Sequence, residues 1–331
     1  MTESSLAFLV LVIALALLFD FANGFHDAAN AVATVISTRV LSPLVAVAMA
    51  ALMNLLGALS GTAVAKVVGA GIIDPGAITL TTVAAGVSAA IIWEFVTLYL
   101  GLPVSGSHSL IGGVAGAAIA TGGFSVILGS GVEKILLGML FSLLLGILGG
   151  YLLMLSLYWV FHRSTPSRVN GIFGRLQIVS AAAMAFSHGS NDAQKTMGII
   201  ALSLFVSGHI DTFHIPYWVI LVSATAMALG TSLGGWRIIR TLGVRIVHMR
   251  PVNGFAAESA AAGVIETASR LGIPLSTTHT ITSTILGQGA TRRFSAVRWG
   301  VARRIVLAWV ITFPFCGLLG ALLFEGLRLV V

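Results

Sequence analysis

The sequence predicts an all-α polytopic membrane protein, an inverted-topology repeat of two five-segment halves with broken helices and re-entrant hairpins. Three observations predict it. Of the 331 residues, 57% are hydrophobic and 9% charged, with a mean hydropathy of +1.02, whereas soluble domains carry about a quarter charged residues. Ten apolar segments approach the roughly 20 residues that a spanning helix needs. Three short motifs recur in the same order in the first five segments and in the last five.

The segments run 6 to 38, 41 to 62, 80 to 100, 104 to 122 and 136 to 160, then 175 to 206, 216 to 236, 254 to 271, 275 to 290 and 303 to 331. The first and sixth carry polar residues in mid-run, and breaks are expected at Asn23-Gly24 and His188-Gly189. Glu3 is the only charge ahead of the first run, which is expected to stay as a first helix because a secretory leader would begin with a basic region. Residues 1–160 form the first repeat, 161–174 a cytoplasmic linker and 175–331 the second repeat, all within one integrated transmembrane domain.

Basic residues orient the chain. With ten crossings and the N-terminus outside, Arg39, Arg163, Arg168, Arg175, Arg237, Arg240, Arg245, Arg250, Arg292, Arg293, Arg298, Arg303 and Arg304 face the cytoplasm. Lys66, Lys134, Arg270 and Arg328 remain outside. This positive-inside bias predicts both termini outside. It assigns the net charge of +7 to contact with anionic lipid headgroups and argues against nucleic acid. The lone Cys316 gives no disulfide framework.

Gly24, Asp27 and Ala28 match Gly189, Asp192 and Ala193 at an offset of 165. Gly101-Leu102-Pro103-Val104-Ser105-Gly106-Ser107-His108 matches Gly272-Ile273-Pro274-Leu275-Ser276-Thr277-Thr278-His279 at an offset of 171. Leu56-Gly57 with Gly61 matches Leu229-Gly230 with Gly234. An odd number of crossings per half makes the second half enter from the opposite face, an architecture common in secondary transporters, whose sites lie at the midplane. The segments around Gly101-Leu102-Pro103 and Gly272-Ile273-Pro274 are either full crossings or hairpins with mid-membrane tips. Their nearly uncharged polar tips favour hairpins, because non-helical backbone at depth is tolerated where it lines a cavity.

Each tip predicts a helix start. Pro103 disfavours helix just before it and Ser105 is a good N-cap, placing Ser107 and His108 in the first turn; Ser276, Thr277, Thr278 and His279 repeat this. Two such N-termini could face one tetrahedral oxyanion without a cationic side chain. The alternative is simple capping and close helix packing.

The acids are the costly residues. A charged group at membrane depth costs roughly 3 kcal/mol or more and is a functional-site hypothesis by default. Asn23, Asp27 and Asn30 fall at helical spacing on one face, and Asp192 and Lys195 share a face in the second copy. Carboxylate and carboxamide oxygens suit sodium, a proton or the P–OH of a phosphate. Sulfate has no such proton near neutral pH, and a site built around one rejects it. The alternative is an Asp satisfied by nearby backbone. His26, His108, His188 and His279 with the acids could ligate a transition metal, but no HExxH or Cys cluster supports this, so no metal site is expected. Glu94, Glu258 and Glu266 are further candidate acids. The paired glycines at 57/61 and 230/234 read as close-packing sites.

The motif around Asp27, its copy around Asp192 and the two Pro-x-Ser-x-Ser/Thr-His tips together resemble the inorganic phosphate transporter (PiT) family in its bacterial low-affinity branch. The resemblance implies a non-enzymatic plasma-membrane symporter of inorganic phosphate working by alternating access, in a bacterial inner membrane, with a homodimer compatible with it. It casts Asp27, Asn30 and Asp192 as substrate or coupling-ion residues and Ser105 and Ser276 as phosphate contacts. Glu258 falls where the family has a functional acid. Asn23 and Asn191 join the coupling-ion candidates, and Ser107, His108, Thr277 and Thr278 the substrate candidates.

Two departures stand out: His26 replaces an Asn of the family motif, and Lys195 stands where the first repeat has Asn30. The Lys195 ammonium is expected to substitute for a cation, leaving coupling to protons, or a neutral metal-phosphate substrate, instead of several sodium ions. No cofactor is expected beyond that coupling ion. The rival readings are a sulfate permease of the same fold, a membrane-embedded metal hydrolase and a passive channel.

Overall fold

In lipid the backbone can satisfy its own polar groups only as helices or closed barrels, and helices are what these apolar runs form. The computed structural model describes residues 6–330. Glu3, Val331 and the chain ends whose side of the membrane the sequence predicts lie outside the described residues.

Twelve helices follow in order among the described residues. They are α1 (Leu6–Ser37), α2 (Pro43–Ala58), α3 (Ala63–Ala70), α4 (Leu80–Leu100), α5 (Gly106–Gly122) and α6 (Gly129–Val160), then α7 (Pro166–Val206), α8 (Tyr217–Leu233), α9 (Trp236–Arg240, continued by a π turn at Thr241–Arg245), α10 (Pro251–Arg270), α11 (Thr277–Ala290) and α12 (Trp299–Arg328). By length and composition α1, α4, α6, α7 and α12 can each cross a membrane. The pairs α2–α3 and α8–α9, bent by 73° and 61°, bring the number to seven if each is one span. Leu136, Leu140, Leu144, Leu148, Leu152 and Leu155 of α6 are all exposed, an apolar face for lipid tails. Exposed Tyr99, Trp159, Trp218 and Trp299 sit near helix ends, where aromatic rings anchor at headgroup level.

The breaks lie elsewhere than the sequence predicts. α1 runs unbroken through Asn23-Gly24, and α7 through His188-Gly189. A mid-helix glycine costs only about 0.5–1 kcal/mol, and here it permits close approach: the space a Cβ would need at Gly24 is filled by the Met227 carbonyl, and at Gly189 by that of Asn54. The helix breaks fall after Ala58 and at Gly234-Gly235, within the motif expected only to serve packing.

α4–α5 and α10–α11 form the two hairpins. Each turns through a left-handed glycine, Gly101 at φ 67° and Gly272 at φ 69°, a conformation costly for other residues. Ser105 then caps α5 by accepting the His108 N–H at 3.2 Å, and Ser276 caps α11 by accepting the His279 N–H at 3.1 Å. With 14 residues, α11 is about 21 Å long, too short to cross alone.

The two halves interleave. α5 packs on α12 and α11 on α6, while α1 packs on α8 and α7 on α2. One apolar cluster takes in Phe8–Phe19 of α1 and Ala193–Leu204 of α7, and another takes in Ala29–Val35 and Ala181–Ala185. The polar motifs occupy the stretches between them, so they form a polar layer across the middle of two long helices.

Candidate functional site

That layer is closed from both sides by the hairpin tips. Ser107 donates to the Leu275 carbonyl at 3.1 Å, and the His108 and His279 rings meet edge to face with centroids 4.6 Å apart. The N-termini of α5 and α11 therefore converge, each with first-turn N–H groups that have no intrahelical partner.

Asp27 is 1% exposed. Its Oδ1 accepts from His26 Nδ1 at 2.8 Å and its Oδ2 from the Thr278 hydroxyl at 3.1 Å. Asn30 donates to Thr278 at 2.9 Å. Asp192, also 1% exposed, is paired with the Lys195 ammonium and accepts from Thr277 at 2.9 Å. Lys195 also donates to the Leu275 carbonyl at 3.3 Å. Adjacent threonines of one helix N-terminus thus serve the two opposed acids, one each. Asp27, His188 and Asp192 bring ligand atoms within 4.8 Å of one another, a donor set of oxygen and imidazole nitrogen that could hold a divalent cation although no sequence motif announces it.

The sequence-predicted residues divide accordingly. Asp27, Asn30, Asp192, Lys195, Thr277, Thr278, Ser107 and His108 come together. Asn23 lies beside them, its carboxamide filling the space that Gly106 leaves open. Ser105 and Ser276 act on this centre as caps. Asn191 turns away and donates to Ser269 of α10 at 2.9 Å. Glu258 makes its hydrogen bonds away from the tips: it accepts from Thr34, one turn beyond Asn30 on α1, from Ser180 and from Gln177, the last at 3.0 Å. Glu94 accepts from Ser109 at 2.8 Å and lies 3.5 Å from His26 Nδ1, joining the first hairpin to Asp27 through that imidazole. Glu266 is partly buried, accepting from Ser190 at 3.0 Å and from Arg270 at 2.9 Å.

Asp20 and Asn54 are among the buried polar residues that escaped sequence reasoning. Asp20 is fully buried with Thr196, Asp192 and Lys195 as polar neighbours. Its signal was available, since it is an acid inside the first apolar run. Asn54 accepts from His188 Nδ1 at 3.0 Å and donates to Thr231 at 2.8 Å; an isolated amide in an apolar segment gives no such signal.

Thr278 offers a clean test of this wiring. Thr278→Val keeps the shape but removes the donor to Asp27 and the acceptor for Asn30. A hydrogen bond to a charged group contributes about 1.5–3 kcal/mol, so the melting temperature is expected to fall by several degrees and uptake by roughly one to two orders of magnitude. Unchanged uptake would show that this hydroxyl is merely packed.

The chain is similar to known proteins. A model described as the phosphate transporter family matches residues 23–320. A probable low-affinity inorganic phosphate transporter of Rhizobium meliloti is 49% identical, covering 99% of both chains, and one of Bacillus subtilis is 44% identical, covering 97% of both. Among solved structures, a sodium-dependent phosphate transporter superposes with a TM-score of 0.91 at 23% identity, over 98% of this chain and 100% of its own.

Proposed function

Because the chain belongs to the phosphate transporter family, we propose that it carries inorganic phosphate across the plasma membrane as a secondary symporter coupled to protons, by alternating access. The observation that carries this reading is the convergence of two capped helix N-termini on a layer holding Asp27 and Asp192. Helix N-termini bind phosphate oxygens through N–H groups and the positive dipole end. Asp27 is suited to accept the P–OH proton, which makes phosphate, and disfavours sulfate, as the anion. The interleaved packing supports an inverted repeat in which the hairpins and the helices that hold them exchange access between the two faces, with both termini outside.

Lys195 supports the choice of ion. In the first half the matched place is taken by Asn30, whose carboxamide is neutral; in the second, the ammonium already neutralises Asp192. A half-site filled in this way has less need of sodium.

The test is uptake of labelled phosphate into proteoliposomes under imposed ion gradients. An inward proton gradient is expected to drive uptake without sodium, external phosphate to accelerate exchange with internal label, and excess sulfate to leave uptake unchanged. Strict sodium dependence sinks the coupling assignment, and competition by sulfate sinks the anion assignment. Loss of counterflow points to a channel.

A second reading has its own observation. The convergence of Asp27, His188 and Asp192 suits a neutral metal-phosphate as the carried species, the divalent ion sitting between the acids and the anion. Uptake that rises with added magnesium or manganese and stops with a chelator supports it.

A further inference from the structure

Far from the hairpin tips, a cavity of about 660 Å³ opens at the other end of the α10–α11 hairpin, walled also by the end of α6 and the start of α7. Arg250, Arg292, Arg293 and Arg298 line it, with His162 and His248. No carboxylate is among the lining residues. Within the described residues none of the four arginines forms an ion pair. Four arginines lining one concavity without a carboxylate among them repel one another unless an anion joins them.

The repeat shows that the turn itself has no need of these charges. Phe124-Ser125 in the first half recurs as Phe294-Ser295 in the second, each forming a short 3-10 turn. Around it Gly122, Gly123 and Leu128 of the first copy become Arg292, Arg293 and Arg298. A general excess of positive charge on this face is already supplied by exposed residues such as Arg303 and Arg304, which lie outside the cavity. Arg250, Arg292, Arg293 and Arg298 are exposed as well, and what sets them apart is that they share the wall of one cavity. Guanidinium groups bind phosphate oxygens in bidentate fashion, and basic pockets between transmembrane helices bind phosphorylated headgroups. Exposed Trp159 and Trp299 at neighbouring helix ends set the cavity at headgroup level, and its volume suits a ligand larger than a single inorganic phosphate.

We propose that this cavity binds an anion carrying two or more phosphate groups, supplied by an anionic lipid headgroup or by a soluble polyphosphate, and that its occupancy clamps the base of the second hairpin. The clamp has visible parts. Asn253 at the start of α10 donates to Gln288 near the end of α11 at 2.8 Å, and both line the cavity. The next residue, Gly254, leaves room for Gln177, which donates to Glu258. A ligand bridging Arg250 and Arg292 therefore holds both helices of the hairpin and the buried acid that α10 carries.

The experiment uses the full chain, purified and delipidated in a neutral detergent, with native mass spectrometry and thermal unfolding as readouts. The probes are diphosphatidylglycerol, phosphatidylcholine as the uncharged control, and inorganic tripolyphosphate. At least one of the two phosphate-rich probes is expected to bind and raise the melting temperature, phosphatidylcholine to do neither. R292Q/R293Q is expected to weaken that binding tenfold or more, and R303Q/R304Q to leave it within about twofold. A response to the lipid alone assigns the headgroup as the source; a response to tripolyphosphate alone assigns a solute. The proposal is overturned if neither probe binds, or if R303Q/R304Q weakens binding as much as the cavity pair. Should the double variant not yield monodisperse protein, R298Q carries the same test.

Discussion

Lys195→Asn is expected to make phosphate uptake depend on sodium. Lys195 is 1% exposed and its ammonium pairs with Asp192. Removing one partner of a buried ion pair leaves an uncompensated charge, at a cost of about 3–5 kcal/mol. The new asparagine reproduces the residue of the first half and offers a carboxamide oxygen to a cation in place of the ammonium. Without sodium, uptake is expected to drop at least a hundredfold and the melting temperature to fall. With sodium, both are expected to recover, because an ion bound only by the folded state stabilises it by mass action. Removing both charges in D192N/K195N restores stability without sodium, since no lone charge remains, but leaves uptake lost. Uptake by Lys195→Asn that ignores sodium would show that the ammonium does not occupy a cation place. Proteoliposome flux and thermal unfolding, each with and without sodium, decide the matter.

Valine at Gly57 or at Gly230 is expected to abolish uptake by pushing apart the helices that carry the acids. At Gly57 the place of a Cβ is taken by the Phe186 carbonyl, with the Ser190 nitrogen 2.9 Å away. At Gly230 it is taken by the Phe21 carbonyl, with the Phe25 nitrogen 3.0 Å away. The opposing atoms are backbone of α7 and α1 beside the polar layer, with no flexible side chain to yield. Overpacking costs typically 1–3 kcal/mol and occasionally more, and contact with backbone belongs at the upper end. Gly171, also helical but with nothing within 4 Å of the place a Cβ would take, is the control: Gly171→Ala is expected to gain about 0.5–1 kcal/mol. Melting temperatures of the three variants are the measurement, and a Gly57→Val protein as stable and active as the parent would refute the close approach.

The helical class, the segment order and the hairpin tips were legible because each rests on local chemistry: apolar length, Pro followed by Ser, and a repeated His. The two central acids were legible for the same reason, through the cost of charge in lipid. What the sequence misplaced were the breaks. Asn23 and His188 look like the ends of helices when read one segment at a time. In the fold both residues sit inside continuous helices, Asn23 seated in the space beside Gly106 and His188 held through Nδ1 by the Asn54 carboxamide oxygen, and the close approach to other helices that Gly24 and Gly189 allow takes the place of a break. Glu258 was picked out as an acid but its partners were not, since Thr34, Gln177 and Ser180 come from two helices far apart in the chain. Asp20 was missed by attention to the repeat, having no acid at the matching place in the second half.

The exchange of partners between the halves also governs the order of assembly. Gly112 and Gly116 of α5 face the backbone of α12 at Phe313 and Gly317, so the first hairpin finds its seat only when the last of the twelve helices emerges from the ribosome. Until then its glycine face must wait against lipid or another protein. A chain released before Trp299 therefore leaves an intact first half with its hairpin unhoused, prey for quality-control proteolysis.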